Sequence, residues 1–236
     1  MIEFVAETGS TNADLVQRVL DGEPLPEGHW LVADRQTAGR GRQGRKWTDG
    51  CGNLMASCII NPGPRDPAPS SLSFVVALAL YETVRNVLPA PDGLLLKWPN
   101  DLLLSGAKLA GILLERVNDR VVAGIGVNLV SAPELADRDT VSLKSVGASV
   151  DRDEFARILT GSLQTELDRW RTYGLGAIMR RWEAAAHPIG TVLTIHEPGG
   201  GAFDGRFHGL TPDGALRLCL ADGTIRAIHA GDVFLG

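Results

Sequence analysis

AGRGRQGRKW, residues Ala38 to Trp47, carries Gly39, Gly41 and Gly44 in a literal G-x-G-x-x-G. As a dinucleotide fingerprint it would open a doubly wound parallel sheet. That motif needs a strand before it, a helix starting within it and an acid about 20 residues later. A strand precedes it at His29 to Asp34. No helix follows: after Gly44 comes RKWTDGCGN, turn formers without an apolar stripe. The loop also holds four cations, Arg40, Arg42, Arg45 and Lys46, whereas a dinucleotide loop grips pyrophosphate with backbone N–H groups and a helix dipole. Its glycines let backbone approach a ligand closely. Its arginines are forked donors suited to carboxylate and phosphate oxygens. Their mutual repulsion predicts a loop that is mobile when empty and ordered around an anion.

The flanking pattern agrees. Ile2 to Ala6 reads as a strand and Thr11 to Leu20 as a helix, with a stripe of Leu15, Val16, Val19 and Leu20 and with Ser10 or Thr11 as cap. Gly52 to Ile60 is a further strand, and Ser70 to Leu88 a long apolar helix ended by Pro89. A meander follows: Leu94 to Trp98, Leu102 to Leu104, Lys108 to Arg116 and Arg120 to Leu129, with turns at Ser105-Gly106 and Asn118-Asp119. Helices are expected at Phe155 to Trp170 and Ala177 to Ala186, separated by Gly174 and Gly176. From Ile189 the chain becomes short β runs with turns at Gly199 to Gly201, Asp213-Gly214 and Asp222-Gly223, the signature of a small barrel-like domain. The expected fold is α+β, a mixed and largely antiparallel sheet flanked by helices, with domains at 1–187 and 188–236.

The 236 residues carry a net charge of −5, so the loop cations stand out against an acidic background, and a nucleic-acid partner is not expected. Cys51, Cys58 and Cys219 have no C-x-x-C spacing, which fits a reducing compartment. No apolar run approaches the roughly 20 residues of a membrane span. The start, MIEFVAETGST, lacks a basic segment and an apolar core, so neither a signal peptide nor a membrane partner is expected, and the expected location is the cytoplasm.

Four companions of the loop carry chemistry. In Lys97-Trp98-Pro99-Asn100-Asp101, Pro99 keeps Trp98 out of the α region, and the turn presents a lysine, an amide and a carboxylate. Lys97 can steady a phosphate; Asp101 can hold Mg²⁺ or accept hydrogen bonds. In Lys108-Leu109-Ala110-Gly111-Ile112-Leu113, strict alternation puts Lys108 and Ala110 on the face opposite Leu109 and Gly111. Ser10-Thr11-Asn12 lies at the start of the first helix, and Thr11-x-x-Asp14 fits a capping box. Gly124-Ile125-Gly126-Val127-Asn128 leaves room beside a flat ring, with an amide able to read a base edge. Singly, each is an ordinary turn or strand end.

Together and in this order, ETGSTN, Gln36 with AGRGRQGRKW, KWPNDL, KLAGIL and GIGVN resemble the biotin–protein ligases over essentially the whole chain. The resemblance implies a class II synthetase-like, lipoyl–biotinyl transferase fold with a small C-terminal SH3-like β-barrel. It implies ATP and biotin as substrates with Mg²⁺, a biotinyl-5′-AMP intermediate, and transfer to a lysine on the carrier domain of a biotin-dependent carboxylase. By the family pattern Ser10, Thr11, Asn12 and Gln36 hold the ureido ring, and Arg40, Gly41 and Arg42 close over carboxylate and phosphate. Lys108 contacts the carboxylate or the acyl-phosphate oxygen. Lys97 and Arg45 serve the nucleotide phosphates, Asp101 serves Mg²⁺, Asn128 meets adenine and Trp47 covers the adenylate. Lys108, Arg42 and Lys97 are thus the expected catalytic residues, and Arg206 and Arg217 are guesses for a role of the β domain. ETGSTN begins at residue 7, which leaves no room ahead of it for the helix-turn-helix of repressor members, so operator binding is not expected. A lipoate–protein ligase or octanoyltransferase is the alternative. The sequence is compatible with a monomer or a homodimer.

Overall fold

The computed structural model describes residues 1–48, 50–197 and 200–235. Seven strands form the main sheet: β1 (Ile2–Thr8), β2 (Trp30–Gln36), β3 (Leu54–Ile60), β4 (Leu94–Lys97), β5 (Asp101–Leu104), β6 (Ala107–Val117) and β7 (Arg120–Val127). Their order is β1-β2-β3-β7-β6-β5-β4, with β1 and β2 parallel and every other pair antiparallel. This is the mixed α+β sheet expected from the hairpin pattern. A doubly wound fold would need crossover helices between parallel strands.

Side-chain alternation divides the labour of the two faces. Even positions of β3 (Leu54, Ala56, Cys58, Ile60) join the main core, with Ala123, Ile125 and Val127 of β7. Helix α2 (Leu72–Val87) covers that face and is apolar almost all round. It lies against α3 (Arg152–Ala185), where Phe74 meets Trp182 edge to face at 5.6 Å. On the opposite face the short helix α1 (Thr11–Leu20) buries Leu15 and Val19 over Leu31, Ile59, Val117 and Val122. Leu20, expected in the apolar stripe, is exposed. Beyond the end of α1 the same rows continue as Ser57 and Met55, Gly124 and Gly126, Leu113 and Gly111. Ser57, Gly111, Gly124 and Gly126 take the place of large apolar residues there, and the cleft opens over them.

The two helices expected after residue 152 follow one another directly within Arg152–Ala185 and meet at Gly174, whose φ of 73° and ψ of 179° lie outside the helical region. Glycine adopts such a φ without the steric cost of a Cβ.

The C-terminal segment forms β8 (Val192–His196), β9 (Ala202–Leu210), β10 (Leu216–Cys219), β11 (Ile225–Ile228) and β12 (Asp232–Leu235). They make an antiparallel sheet in the order β11-β10-β9-β8-β12. The expected barrel does not close: among the described residues β11 and β12 remain opposite edges. Instead β12 faces the main sheet, and its Val233 carbonyl accepts a 2.9 Å bond from Lys97 Nζ. The turn expected at 199–201 begins outside the described residues. Trp98 Nε1 donates to the Gly214 carbonyl at 3.2 Å, and the Leu210 N–H donates to Glu183 of α3 at 2.7 Å, tying the second sheet to the turn after β4 and to α3. Among the described residues no helix is long and apolar enough to cross a membrane.

Candidate active site

The glycine–arginine stretch is a hairpin, not a helix start. The Trp47 N–H donates to Gly39 O at 3.0 Å, the Gly41 N–H donates to Arg45 O at 2.7 Å, and Arg40 bridges Lys46. Its tip is a single 3₁₀ turn, Arg42–Gly44, with positive φ at Gln43 and Gly44. The hairpin folds back over the open face and lays the Trp47 indole on the backbone of Gly126, beside its cross-strand partner Gly111. A side-chain carbon at Gly111 would stand 3.1 Å from that indole. The two glycines therefore make the bed on which the aromatic ring lies flat.

Ser10, Thr11, Asn12, Gln36 and Ser57 gather at one end of this cleft, all buried. Gln36 Oε1 accepts from the Thr11 N–H at 2.7 Å and from the Thr11 hydroxyl at 3.0 Å. With its proton so engaged, the Thr11 oxygen is the acceptor of its 2.8 Å contact with Ser57 Oγ. The capping box expected at Thr11 and Asp14 does not form: Ser10 is the N-cap, and Asp14 accepts from the Thr8 hydroxyl. Thr11 was the wrong cap because Gln36, 25 residues away in sequence, already occupies its N–H.

The other end is charged. Asp101, buried at the start of β5, receives Lys108 Nζ at 2.6 Å and Lys97 Nζ at 3.5 Å. Burial pushes its carboxyl up, but Lys108 and Lys97 outweigh this and hold it below the ordinary carboxylate value. Burial lowers the Lys97 ammonium, with Asp101 opposing and Lys108 and Arg138 adding to the shift. Burial likewise lowers Arg42, against the pull of Asp232 and Asp101. Arg42 Nη1 donates to Asn100 Oδ1 at 3.1 Å, and Asn100 in turn donates to Ile112 O at 2.7 Å.

Lys108 overturns the alternation expected for its strand. It lies on the same face as Gly111, with Nζ 3.3 Å from where a Gly111 side chain would begin, and 5.9 Å from the Trp47 ring centre. The register against β5 jumps from Leu102–Ala110 to Leu103–Lys108, leaving Leu109 as the extra residue of a bulge. One inserted residue reverses every side chain beyond it.

Ser10, Thr11, Asn12, Gln36, Arg40, Gly41, Arg42, Arg45, Trp47, Lys97, Asp101, Lys108 and Asn128 all line this one cleft. Arg45 pairs with Asp232 of β12 and donates to Gln43. Asn128 donates to the carbonyls of Val141 (3.2 Å) and Lys108 (3.4 Å), which makes it a brace for the segment beside β6. Arg206 and Arg217 are not among the residues lining the cleft; Arg206 donates to the Gly190 carbonyl. The C-terminal sheet contributes Asp232, Val233 and Phe234 instead. Sequence reasoning missed those three, and also Ser57, Glu115 and Arg138. Ser57 had a signal, as a polar residue inside the apolar run LMASCII. Arg138, whose guanidinium lies 5.8 Å from the Phe234 ring centre, had none.

Residues 6–130 match the model of the biotin/lipoate A/B protein ligase family, and residues 194–236 that of the biotin protein ligase C terminal domain. The chain is 38% identical to the biotin–[acetyl-CoA-carboxylase] ligase of Mycobacterium tuberculosis, over 98% of this chain and 88% of that one. It is 37% identical to the enzyme of the same name from Paracoccus denitrificans, over 99% and 100%. Its fold superimposes on a biotin protein ligase from Aquifex aeolicus solved with biotin and ATP, with a TM-score of 0.85 and 27% identity over 100% of this chain and 98% of that one.

Proposed function

The chain belongs to the biotin/lipoate A/B protein ligase family as a biotin–protein ligase, and from that premise we propose how its cleft joins biotin to ATP and then to a carboxylase lysine. The lipoate or octanoate alternative is not favoured, because the C-terminal match is to the biotin branch. Residues 1–187 are the catalytic domain in this reading, and residues 188–236 a second domain whose strand β12 completes the cleft wall.

The observation that carries the reading is the polarity of the cleft. One end offers neutral hydrogen-bonding groups on Thr11, Asn12, Gln36 and Ser57; the other brings Lys97 and Lys108 onto Asp101, with Arg42 held nearby by Asn100. A ureido ring fits the first end and places the biotin carboxylate near Lys108. A carboxylate oxygen attacks the α-phosphorus of ATP, the bond to pyrophosphate breaks, and biotinyl-5′-AMP forms. Lys108, Lys97 and Arg42 offset the repulsion between two anionic reactants. Arg40, Gly41 and Arg45 close the hairpin over the phosphates, and Trp47 limits water at the mixed anhydride. A carrier lysine amine then attacks the acyl carbon, AMP leaves, and the amine proton passes to solvent.

Asp101 holds the two lysines in place. Its carboxylate is already shared between them, and among the described residues no three His, Cys, Asp or Glu side chains cluster for a metal. Asp101, expected to serve Mg²⁺, is in this reading engaged by the two lysines. Mg²⁺ enters as a companion of the nucleotide, held mainly through phosphate oxygens and water.

Incubation with ATP, Mg²⁺, biotin and a purified carrier domain, followed by intact mass, tests this directly. The expected product carries one biotinyl group per carrier domain. Addition of lipoate in preference to biotin, or no ATP-dependent addition, would overturn it.

A further inference from the structure

Asn12 lies in the first turn of α1, only 4% exposed, with its carboxamide at the polar end of the cleft. Its Nδ2 donates to a carboxylate oxygen of Glu115 on β6. Its Oδ1 is buried without a hydrogen-bond partner. A carboxylate only accepts, so the contact with Glu115 decides which end of the amide faces which way. Oδ1 is consequently the end turned toward Gly124 on the cleft floor, where a side-chain carbon would stand 2.8 Å from it. The missing side chain at Gly124 is what leaves that oxygen room. A buried acceptor without a partner is unfavourable unless a ligand brings a donor.

We propose that Glu115 is a positioning residue for substrate choice. It locks Asn12 with its carbonyl oxygen facing the ligand, so that the cleft demands an N–H there. A cyclic urea supplies one; the dithiolane of a lipoyl group has none and leaves Oδ1 unpaired. A site built to bond a donor rejects an analogue lacking it more strongly than an apolar pocket rejects an extra atom. Glu115 stands behind Asn12, outside the residues that line the cleft, so it acts through Asn12 and not on the substrate. This rests on the biotin-ligase reading above.

The test is biotin-dependent ATP–pyrophosphate exchange by the full chain, with biotin and lipoate compared for wild type, E115A and E115Q, and with thermal midpoints measured alongside. E115A is expected to raise the biotin KM about tenfold with kcat within about twofold, and to narrow the preference over lipoate. In E115Q the new amide can accept from Nδ2 or donate to Oδ1, so both Asn12 orientations coexist and the KM rises only about threefold. A KM within about twofold of wild type in folded E115A, or equal losses in kcat and kcat/KM, overturns the role of Glu115. If E115A does not fold, E115Q decides: an unchanged KM overturns the proposal and the intermediate rise supports it. Wild-type exchange that does not require biotin would sink the ligase reading, and this inference with it. Intact wild-type exchange with indifferent variants sinks Glu115 alone.

Discussion

The indole of Trp47 rests directly on the backbone of Gly126, so closely that a side-chain carbon at 126 would stand 2.7 Å from the indole nitrogen. Gly126→Ala must therefore lift Trp47 from the sheet. Overpacking of this kind costs about 1–3 kcal/mol. The expected outcome is faster escape and hydrolysis of the adenylate with the fold retained. Wild-type adenylate lifetime in G126A, followed by rapid dilution, would show that Trp47 is not its cover.

Asp101→Asn leaves Lys97 and Lys108 facing each other without their shared carboxylate. Removing one partner of a buried ion pair costs roughly 3–5 kcal/mol, and the lower end is expected beside an open cleft. Because the folded-state value of Asp101 is depressed, its stabilisation is complete above the unfolded value of about 3.9 and is lost as pH falls through the folded value. D101N should accordingly show a flatter loss of stability in acid below about pH 4 than wild type in urea melts.

Lys108→Ala removes the cation nearest the expected carboxylate while Lys97 keeps Asp101 paired. Adenylation should slow by about 10²-fold or more, with a much smaller effect on folding. An unaltered rate of ATP–pyrophosphate exchange would withdraw Lys108 from the mechanism.

Arg42→Gly removes a forked donor that Asn100 holds in place at 3.1 Å. A lost charge-assisted bond of about 1.5–3 kcal/mol corresponds to adenylate release roughly 10- to 100-fold faster. Release measured by dilution into excess carrier domain should rise by that factor; an unchanged rate removes Arg42 from the adenylate grip.

Trp98→Phe keeps a smaller aromatic ring but deletes the Nε1 donor to Gly214 O, leaving that carbonyl unpaired at the junction of the two sheets. The expected loss is about 1–3 kcal/mol. Denaturant melts should detect it, and a stability change below about 0.5 kcal/mol would show that the junction does not depend on this bond.

Much of this molecule was open to reading along the chain. An amphipathic stripe marked α1, a long apolar run ended by Pro89 marked α2, and alternation with Asn-Asp and Ser-Gly turns marked the β4–β7 meander, because these signals lie within a few residues of one another. The glycine–arginine loop excluded a dinucleotide fold for the same local reason: nothing after Gly44 can begin a helix. The barrel failed at its edges, because whether β11 meets β12 depends on what else β12 faces, and it faces Lys97.

By itself the sequence determined the strands, the helices, the open α+β class and the residue types that an anion-handling cleft requires, since these follow from short-range periodicity and side-chain chemistry. Tertiary structure alone decided which of those groups meet. A single bulge at Leu109 turned Lys108 toward Asp101, and a hydrogen bond spanning 103 residues fixed the direction of the Asn12 amide. The physical reason is that register and long-range pairing are settled by the packing of the whole sheet, which no window of neighbouring residues contains.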